Sequence, residues 1–302
     1  MRVLTGGEAL GPVRLRRLIE EGALVPVPGV YDALGARLAE EAGFRAVYMS
    51  GFGVSAAALG APDAGLLTMS EMVESARRIC GAVRTPVIAD ADTGYGGELN
   101  VVRTVRSYEA AGVAGLHLED QVFPKKCGHV GEREVIPAEE MVKKLRAALY
   151  ARQNPDLVII ARTDARASEG LEGAIERARL YREAGADVIF VEAPRSEEEV
   201  AAIAGALPGV PLLYNRVEGG RSPLLSLERL EELGYRLVLF PVSALLAATA
   251  AVRETLRSIR ERGEPSGGAG FGEFLEFIGM PELQRLEGGL EKAGRRRGAH
   301  ED

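Results

Sequence analysis

The chain has no tryptophan, two cysteines, three histidines and five lysines among 302 residues, and aromatics make up only 5%. Two cysteines, Cys80 and Cys127, cannot staple a disulfide framework. No apolar run approaches the roughly 20 residues of a membrane helix. The longest, near Val238–Val252, is broken by Pro241 and rich in alanine. No charged-then-apolar leader is visible, so the expected setting is cytoplasmic, with no membrane partner. The net charge is −7 with no basic stripe, and stacking aromatics are few, which argues against nucleic-acid binding. What is present is core-forming material: 46% of residues are hydrophobic and 27% charged, enough for one large domain or two ordinary ones. Arginine outnumbers lysine by 32 to five, which says nothing about chemistry.

Scarce side chains are not scattered. Two of the five lysines, one of the two cysteines and one of the three histidines fall within Lys125-Lys126-Cys127-Gly128-His129. This loop follows an apolar strand that ends in Glu119-Asp120. A thiol beside cations has a depressed pKa and can exchange protons near neutrality.

Short apolar runs alternate with amphipathic segments. The runs are Leu24–Val30, Ala46–Ser50, Val87–Ala89, Gly115–Leu118, Val158–Ala161, Val188–Val191, Pro211–Tyr214 and Leu237–Pro241. Helices are expected over Ala33–Ala42, Ser70–Val83, Val101–Ala111, Ala138–Arg152, Leu171–Ala184, Glu197–Ala206, Leu227–Leu233 and Ala244–Arg262. Eight such pairs predict a (β/α)8 TIM barrel rather than a doubly wound sheet. The expected domains are a barrel over 1–263 and a C-terminal extension over 264–302. In the extension, Glu264–Gly272 reads as a linker. Phe271, Phe274 and Phe277 then form a helical stripe, buried either on the chain's own barrel or on a neighbouring subunit. Gly294–Asp302 is charged and expected to fray.

Barrel enzymes carry their chemistry at the C-terminal ends of strands. Here those ends read Tyr48-Met49-Ser50-Gly51, Asp90-Ala91-Asp92, Glu119-Asp120, Arg162-Thr163-Asp164, Glu192 and Asn215-Arg216. Asp90 and Asp92 stand two apart at a strand end, which predicts a shared face. Two such carboxylates suit a hard cation such as Mg²⁺, or ion pairs with nearby arginines. Arg162 could grip a carboxylate in bidentate fashion, or pair with Asp164 or Glu192. Ser50-Gly51 offers a hydroxyl and bare N–H groups to an anion, or is a plain strand-to-loop turn. Cys127 reads as functional in its polar loop, and Cys80 as structural on an apolar helix face. His117 reads as a hydrogen-bonded core histidine. Gly94-Tyr95-Gly96-Gly97 is glycine-rich, but no phosphate-binding helix is signalled after it.

These motifs resemble the isocitrate lyase/phosphoenolpyruvate mutase superfamily over about Gly22–Met280. Lys125-Lys126-Cys127-Gly128-His129 is similar to its lyase signature loop. Agreement extends to Ser50-Gly51, Gly60-Ala61-Pro62-Asp63, Asp90-Ala91-Asp92-Thr93-Gly94-Tyr95-Gly96, Leu118-Glu119-Asp120-Gln121, Ala161-Arg162-Thr163-Asp164-Ala165 and Val191-Glu192-Ala193. The resemblance implies a barrel tetramer whose last helices are swapped between subunits. It implies Mg²⁺, with Mn²⁺ as a substitute, and a small carboxylate substrate. Asp90 would be the principal metal ligand, with Asp92, Glu119 and Asp63 direct or through water. Ser50, Gly51 and Phe52 would hold the pyruvate-like end of the substrate. Gly128, His129, Arg162, Glu192 and Asn215 would contact the rest. Tyr48 would sit near the hydroxyl that is deprotonated, and Cys127 would be the acid/base.

Within the superfamily, the phosphonate-rearranging branch usually carries Asn where Cys127 stands, which favours a carbon–carbon lyase. The oxaloacetate-hydrolysing branch tends to carry Ser where Pro241 stands. Methylisocitrate lyases tend to place an Arg where Leu246 falls, so a smaller dicarboxylate is implied unless Arg221 compensates. The expected activity is lysis of a 2-hydroxy di- or tricarboxylate of the 2-methylisocitrate or 2,3-dimethylmalate type. The alternatives are a carboxyphosphonoenolpyruvate or phosphoenolpyruvate phosphonomutase, an oxaloacetate hydrolase or decarboxylase, and a non-catalytic oxo-acid-binding scaffold.

Overall fold

Each strand is read by two layers at once. In the computed structural model, which describes residues 10–126 and 134–298 and side chains as far as residue 290, eight parallel strands close in sequence order. They are β1 Val25–Val30, β2 Val47–Met49, β3 Val87–Asp90, β4 Gly115–Glu119, β5 Val158–Thr163, β6 Val188–Val191, β7 Leu212–Asn215 and β8 Tyr235–Phe240. β8 pairs with β1 to close the ring. This is the expected (β/α)8 barrel. Successive strand residues point to opposite faces. Val158 and Ile160 pack with Val25, Ile88, Val188, Leu213 and Leu237 in an inner core. Ile159 and Ala161 pack with the surrounding helices in an outer one.

That alternation positions the site. Tyr48, Ile88 and Phe190 belong to the inner core. Asp90, Glu119, Arg162 and Glu192 each lie an even number of residues beyond an inward position, so they project into the C-terminal mouth of the barrel. Asp120 and Thr163 are one residue out of phase and face the helical layer.

Helix α1, Gly11–Glu20, covers the opposite mouth, with Leu15, Leu18 and Ile19 seated in the inner core. Helix α2 is Ala33–Glu41, capped by Asp32, and α4 is Met69–Ala82, opened by a Thr68–Glu71 capping box. Between them α3, Gly51–Leu59, is N-capped by Ser50, whose hydroxyl accepts from Gly53 N at 3.1 Å. Neither α1 nor α3 was among the expected helices: α1 does carry an amphipathic spacing at Leu15, Leu18 and Ile19 after Pro12, whereas α3 is a Gly/Ala-rich run without one. Helices α5 Glu98–Ala111, α6 Ala138–Ala151, α7 Gly170–Glu183, α8 Glu197–Ala206 and α9 Leu227–Glu232 complete the outer layer. Helix α5 starts directly after Gly97, three residues before the expected start.

Contacts divide the chain within α10, Ser243–Arg262, into one unit ending at Leu246 and another beginning at Ala247. The sequence puts the boundary at 263/264, where that helix ends. The second unit continues through α11, Phe271–Ile278, and α12, Met280–Gly298. Helix is assigned as far as Gly298. No residue of α11 is buried, and Phe271 and Phe274 are 77% and 36% exposed. Among the described residues, no helix is long and apolar enough to cross a membrane.

Candidate active site

The ends of β2, β3 and β4 bring three inward groups together. The Tyr48 hydroxyl lies 3.2 Å from Asp90 Oδ2 and 2.8 Å from His117 Nε2. A phenol has one proton to give. If Tyr48 donates to Asp90, His117 must donate from Nε2, which leaves Nδ1 as an acceptor; that atom is buried without a hydrogen-bond partner. Burial lowers the His117 pKa to about 4, against the pull of Asp90, so the ring is neutral. It stacks on Tyr48 with ring centroids 5.7 Å apart. Burial, and then the Asp90 charge, push the Tyr48 phenol well above its ordinary value.

Asp90 is closely held. Oδ1 accepts from Asp92 N at 3.0 Å, and Oδ2 from Gly51 N at 3.3 Å. The latter is a first-turn amide of α3, where the helix dipole favours an anion. A Cβ on Gly51 would lie 2.5 Å from Asp90 Oδ2, so only glycine allows this approach. Burial alone would raise the Asp90 pKa. The His117 ring, which is cationic in the acid range where Asp90 titrates, together with Lys125, Arg162 and the Asp92 N–H, holds it well below the usual carboxylate range.

Asp92 lies beside Asp90 for a different reason from the one its spacing suggested. β3 ends at Asp90, and Asp92 is in the left-handed region with φ 48°. A turn, not strand alternation, brings the second carboxylate round. There it meets Lys125, whose Nζ lies 2.8 Å from Asp92 Oδ1 and 2.6 Å from both Asp63 oxygens. Lys125 is only 3% exposed. Burial would lower its pKa, but Asp92, Asp90, Glu119 and Asp63 raise it well above the ordinary value. The Asp92 carboxyl is pushed up to about 7 by burial, and by the Asp90 and Asp63 charges against Lys125. Lys125 was absent from the expected site residues; the concentration of rare lysines in one loop was the available signal.

The third cluster centres on Arg162. Its Nε and Nη2 chelate Asp164 at 2.9 and 3.1 Å. Nη1 lies 3.2 Å from Glu119 and Nη2 3.6 Å from Glu192, which accepts from Asn215 Nδ2 at 3.0 Å. The guanidinium also lies over Phe190, 5.1 Å from the ring centroid. The ion pairs with Asp164 and Glu192 that the sequence offered are thus both made. Burial pushes the Glu119 carboxyl well above its ordinary value, and its Oε1 is buried without a hydrogen-bond partner.

The structure therefore gathers Tyr48, Ser50, Gly51, Asp63, Asp90, Asp92, Glu119, Arg162, Glu192 and Asn215 at one mouth. Phe52 is half-buried in the first turn of α3. Cys127, Gly128 and His129 lie outside the described residues.

Among the described residues, six carboxylates here (Asp63, Asp90, Asp92, Glu119, Asp164, Glu192) face two cations (Lys125, Arg162). No three Asp, Glu, His or Cys side chains among the described residues form a ready ligand set. The donors nevertheless fit a cation that keeps most of its water and takes one or two carboxylates directly, as Mg²⁺ does. A dication would favour the ionised forms of Asp92 and Glu119, which burial and then the neighbouring carboxylates disfavour, and the unpaired Glu119 oxygen could accept from a metal-bound water.

Comparison with known proteins follows the same lines. The profile of the family described as phosphoenolpyruvate phosphomutase matches residues 15–260. The 2,3-dimethylmalate lyase of Eubacterium barkeri is 47% identical over 278 residues, covering 91% of this chain and 96% of that protein. The 2-methylisocitrate lyase of Aeropyrum pernix is 49% identical over 249 residues, covering 82% and 80%. A solved structure of an oxaloacetate acetylhydrolase in complex with 3,3-difluorooxalacetate superposes with a TM-score of 0.90 at 41% identity, over 94% of this chain and 98% of that one.

Proposed function

For this chain, which belongs to the phosphoenolpyruvate phosphomutase family within the PEP mutase/isocitrate lyase superfamily, we propose a Mg²⁺-dependent carbon–carbon lyase activity on a short 2-hydroxy di- or tricarboxylate. The observation that carries the reading is one buried mouth holding a carboxylate-rich, cation-poor cluster at Asp90 beside the Arg162 guanidinium. The similarity to lyases of 2,3-dimethylmalate and 2-methylisocitrate supports that class of substrate.

Asp90 would hold the metal, with Asp92, Glu119 and Asp63 direct or through water. When bound, Mg²⁺ supplies Lewis-acid stabilisation of negative charge on oxygen. Ser50, Gly51 and Phe52 at the start of α3 receive the pyruvate-like end. Serine Oγ caps the helix through its lone pair, so its O–H is directed elsewhere. Tyr48 stays protonated and orients the reacting hydroxyl by hydrogen bonding, and a buried carboxylate of the rim takes that proton. As the C–C bond breaks, its electron pair passes into the departing carboxylate as an enediolate, and the hydroxyl carbon becomes the oxo carbon. Arg162 stabilises the charge that develops. Glu192 and Asn215 fix the remainder of the substrate with Gly128 and His129, and the Cys127 thiol delivers a proton to carbon.

The experiment is release of 2-oxo acid from 2,3-dimethylmalate and 2-methylisocitrate, with Mg²⁺, Mn²⁺ and chelator. Metal-dependent release from either supports the proposal; the preferred substrate tells whether Arg221 serves a third carboxylate. Release from neither, with cleavage of oxaloacetate instead, moves the assignment to the hydrolase reading that the structural likeness supports. The proposed assembly is a cytoplasmic homotetramer with exchanged C-terminal helices, supported by the unburied apolar face of α11. Light scattering showing a monomer would refute it.

A further inference from the structure

On the outer side of the same strand ends lies a second polar cluster that the proposed reaction does not use. Asp120 follows Glu119 and Thr163 follows Arg162, so both turn away from the mouth toward α7. Asp120 is fully buried and accepts four hydrogen bonds. Oδ2 takes Thr163 Oγ1 at 2.7 Å, the Tyr181 hydroxyl at 2.7 Å and Arg177 Nη1 at 3.3 Å. Oδ1 takes Asp164 N at 2.9 Å. Arg177 is gripped in turn by Glu169, through Nε at 2.7 Å and Nη2 at 2.6 Å.

Two arms leave this cluster. One runs through Asp164: its backbone is held by Asp120 and its side chain chelates Arg162. The other runs to Ile136, whose N–H donates to Asp120 O at 2.8 Å and whose carbonyl accepts from Arg177 Nη1 at 2.8 Å. Ile136 adjoins Val135, which bridges Gln121. Gln121 clasps Lys126 through both its amide atoms at 2.9 Å. The limbs on either side of residues 127–133 are therefore fixed to the frame that fixes Arg162.

We propose that Arg177, Asp120 and Tyr181 form a positioning unit that sets the orientation of Arg162 and the register of the Lys125–Lys126 segment from the outer face of the barrel. Arg177 touches nothing in the mouth. It acts through Asp120 and Asp164, and a displacement of about 1 Å transmitted to Arg162 is enough to cost turnover heavily. The inference rests on the role proposed for Arg162.

The test is a double-mutant cycle of Arg177→Met with Arg162→Lys in the intact protein, together with crystal structures of the Arg177 variant and the parent. Arg177→Met is expected to lower kcat about 10- to 100-fold with a smaller change in KM. In the Arg162→Lys background it is expected to cost no more than about 3-fold, because there is no correctly placed guanidinium left to misplace. In the crystal, Arg162 should leave its chelate on Asp164. Losses that multiply in the double variant, or a lower melting temperature with unchanged kcat and an undisturbed Arg162, overturn the proposal. If Arg177→Met does not fold, Tyr181→Phe removes one donor to Asp120 without removing a charge, and is read in the same cycle. If the parent cleaves none of the candidate substrates, the functional reading fails on its own, and the position of Arg162 in the variant crystals still decides the positioning unit.

Discussion

The two mouths of this barrel are built from the same residue types to opposite ends. At the N-terminal mouth Arg16 and Arg152 meet Asp156 and Asp187, two cations for two anions. Asp187 takes Arg16 at 3.1 Å, Arg152 at 2.8 Å and the Ile159 amide at 2.9 Å. These groups are partly exposed and α1 closes the opening. At the C-terminal mouth, among the described residues, six carboxylates crowd two cations, nearly all buried. The lower mouth matches charge and stabilises the fold. The upper mouth holds carboxylates in excess, which costs stability and is what the cation of the proposed reaction would offset. Active sites generally carry such a cost.

The contrast can be broken in order of expected effect. Asp90→Asn should lower kcat about 10³-fold, the scale on which removal of one preorganised electrostatic group acts, measured as oxo-acid release with saturating Mg²⁺. Gly51→Ala should cost about 10²-fold, because the new Cβ needs the space 2.5 Å from Asp90 Oδ2 and displaces that carboxylate. A smaller and opposite pair follows. Asp187→Asn should lower stability by about 1–3 kcal/mol in denaturant titration while kcat stays within about two-fold. Asp92→Asn should raise the stability of the metal-free protein at pH 8 by about 1 kcal/mol while lowering turnover. If both variants destabilise equally, the upper mouth is not over-charged and the contrast falls.

The gentlest test uses pH. Asp92 has a folded pKa of about 7, raised from an ordinary 3.8. A raised carboxyl favours folding while it is protonated, so its contribution is complete below about pH 4 and is lost as pH rises toward 7. The neutral His117 runs the other way, adding stability as pH rises from about 4 to 6.5. Metal binding requires ionised ligands. Mg²⁺ should therefore raise the melting temperature by more at pH 8 than at pH 5.5, and an equal shift would separate the metal from Asp92 and Glu119.

How far the sequence foretold all this depends on the range over which each feature is encoded. Eight strands were legible because burial on both faces writes short apolar runs, and their terminal polar residues named most of the mouth. α3 was not legible, because Gly51–Leu59 carries no amphipathic pattern and its helix is specified by the Ser50 cap and a packed setting. Asp92 was placed correctly by an argument that does not apply to it: the period of two ends at Asp90. Lys125 was visible as a rarity, but its partner Asp63 is 62 residues distant and no local signal joins them. The same holds for Arg177 and Asp120, 57 residues apart on a helix and a strand end.

Glu119 and Asp120 are adjacent, both acidic and both buried, yet one faces the barrel mouth and the other faces the scaffold. An insertion of one residue within β4 would keep every side chain and exchange the faces on which these two lie. The carboxylate of the mouth would be turned toward Arg177, and the one that meets Arg177 toward the mouth. In such a frame a charge-conserving point change is a smaller injury than a slip of one position. The spacing of the rim residues along their strands is thus as much a part of the active site as the residues themselves.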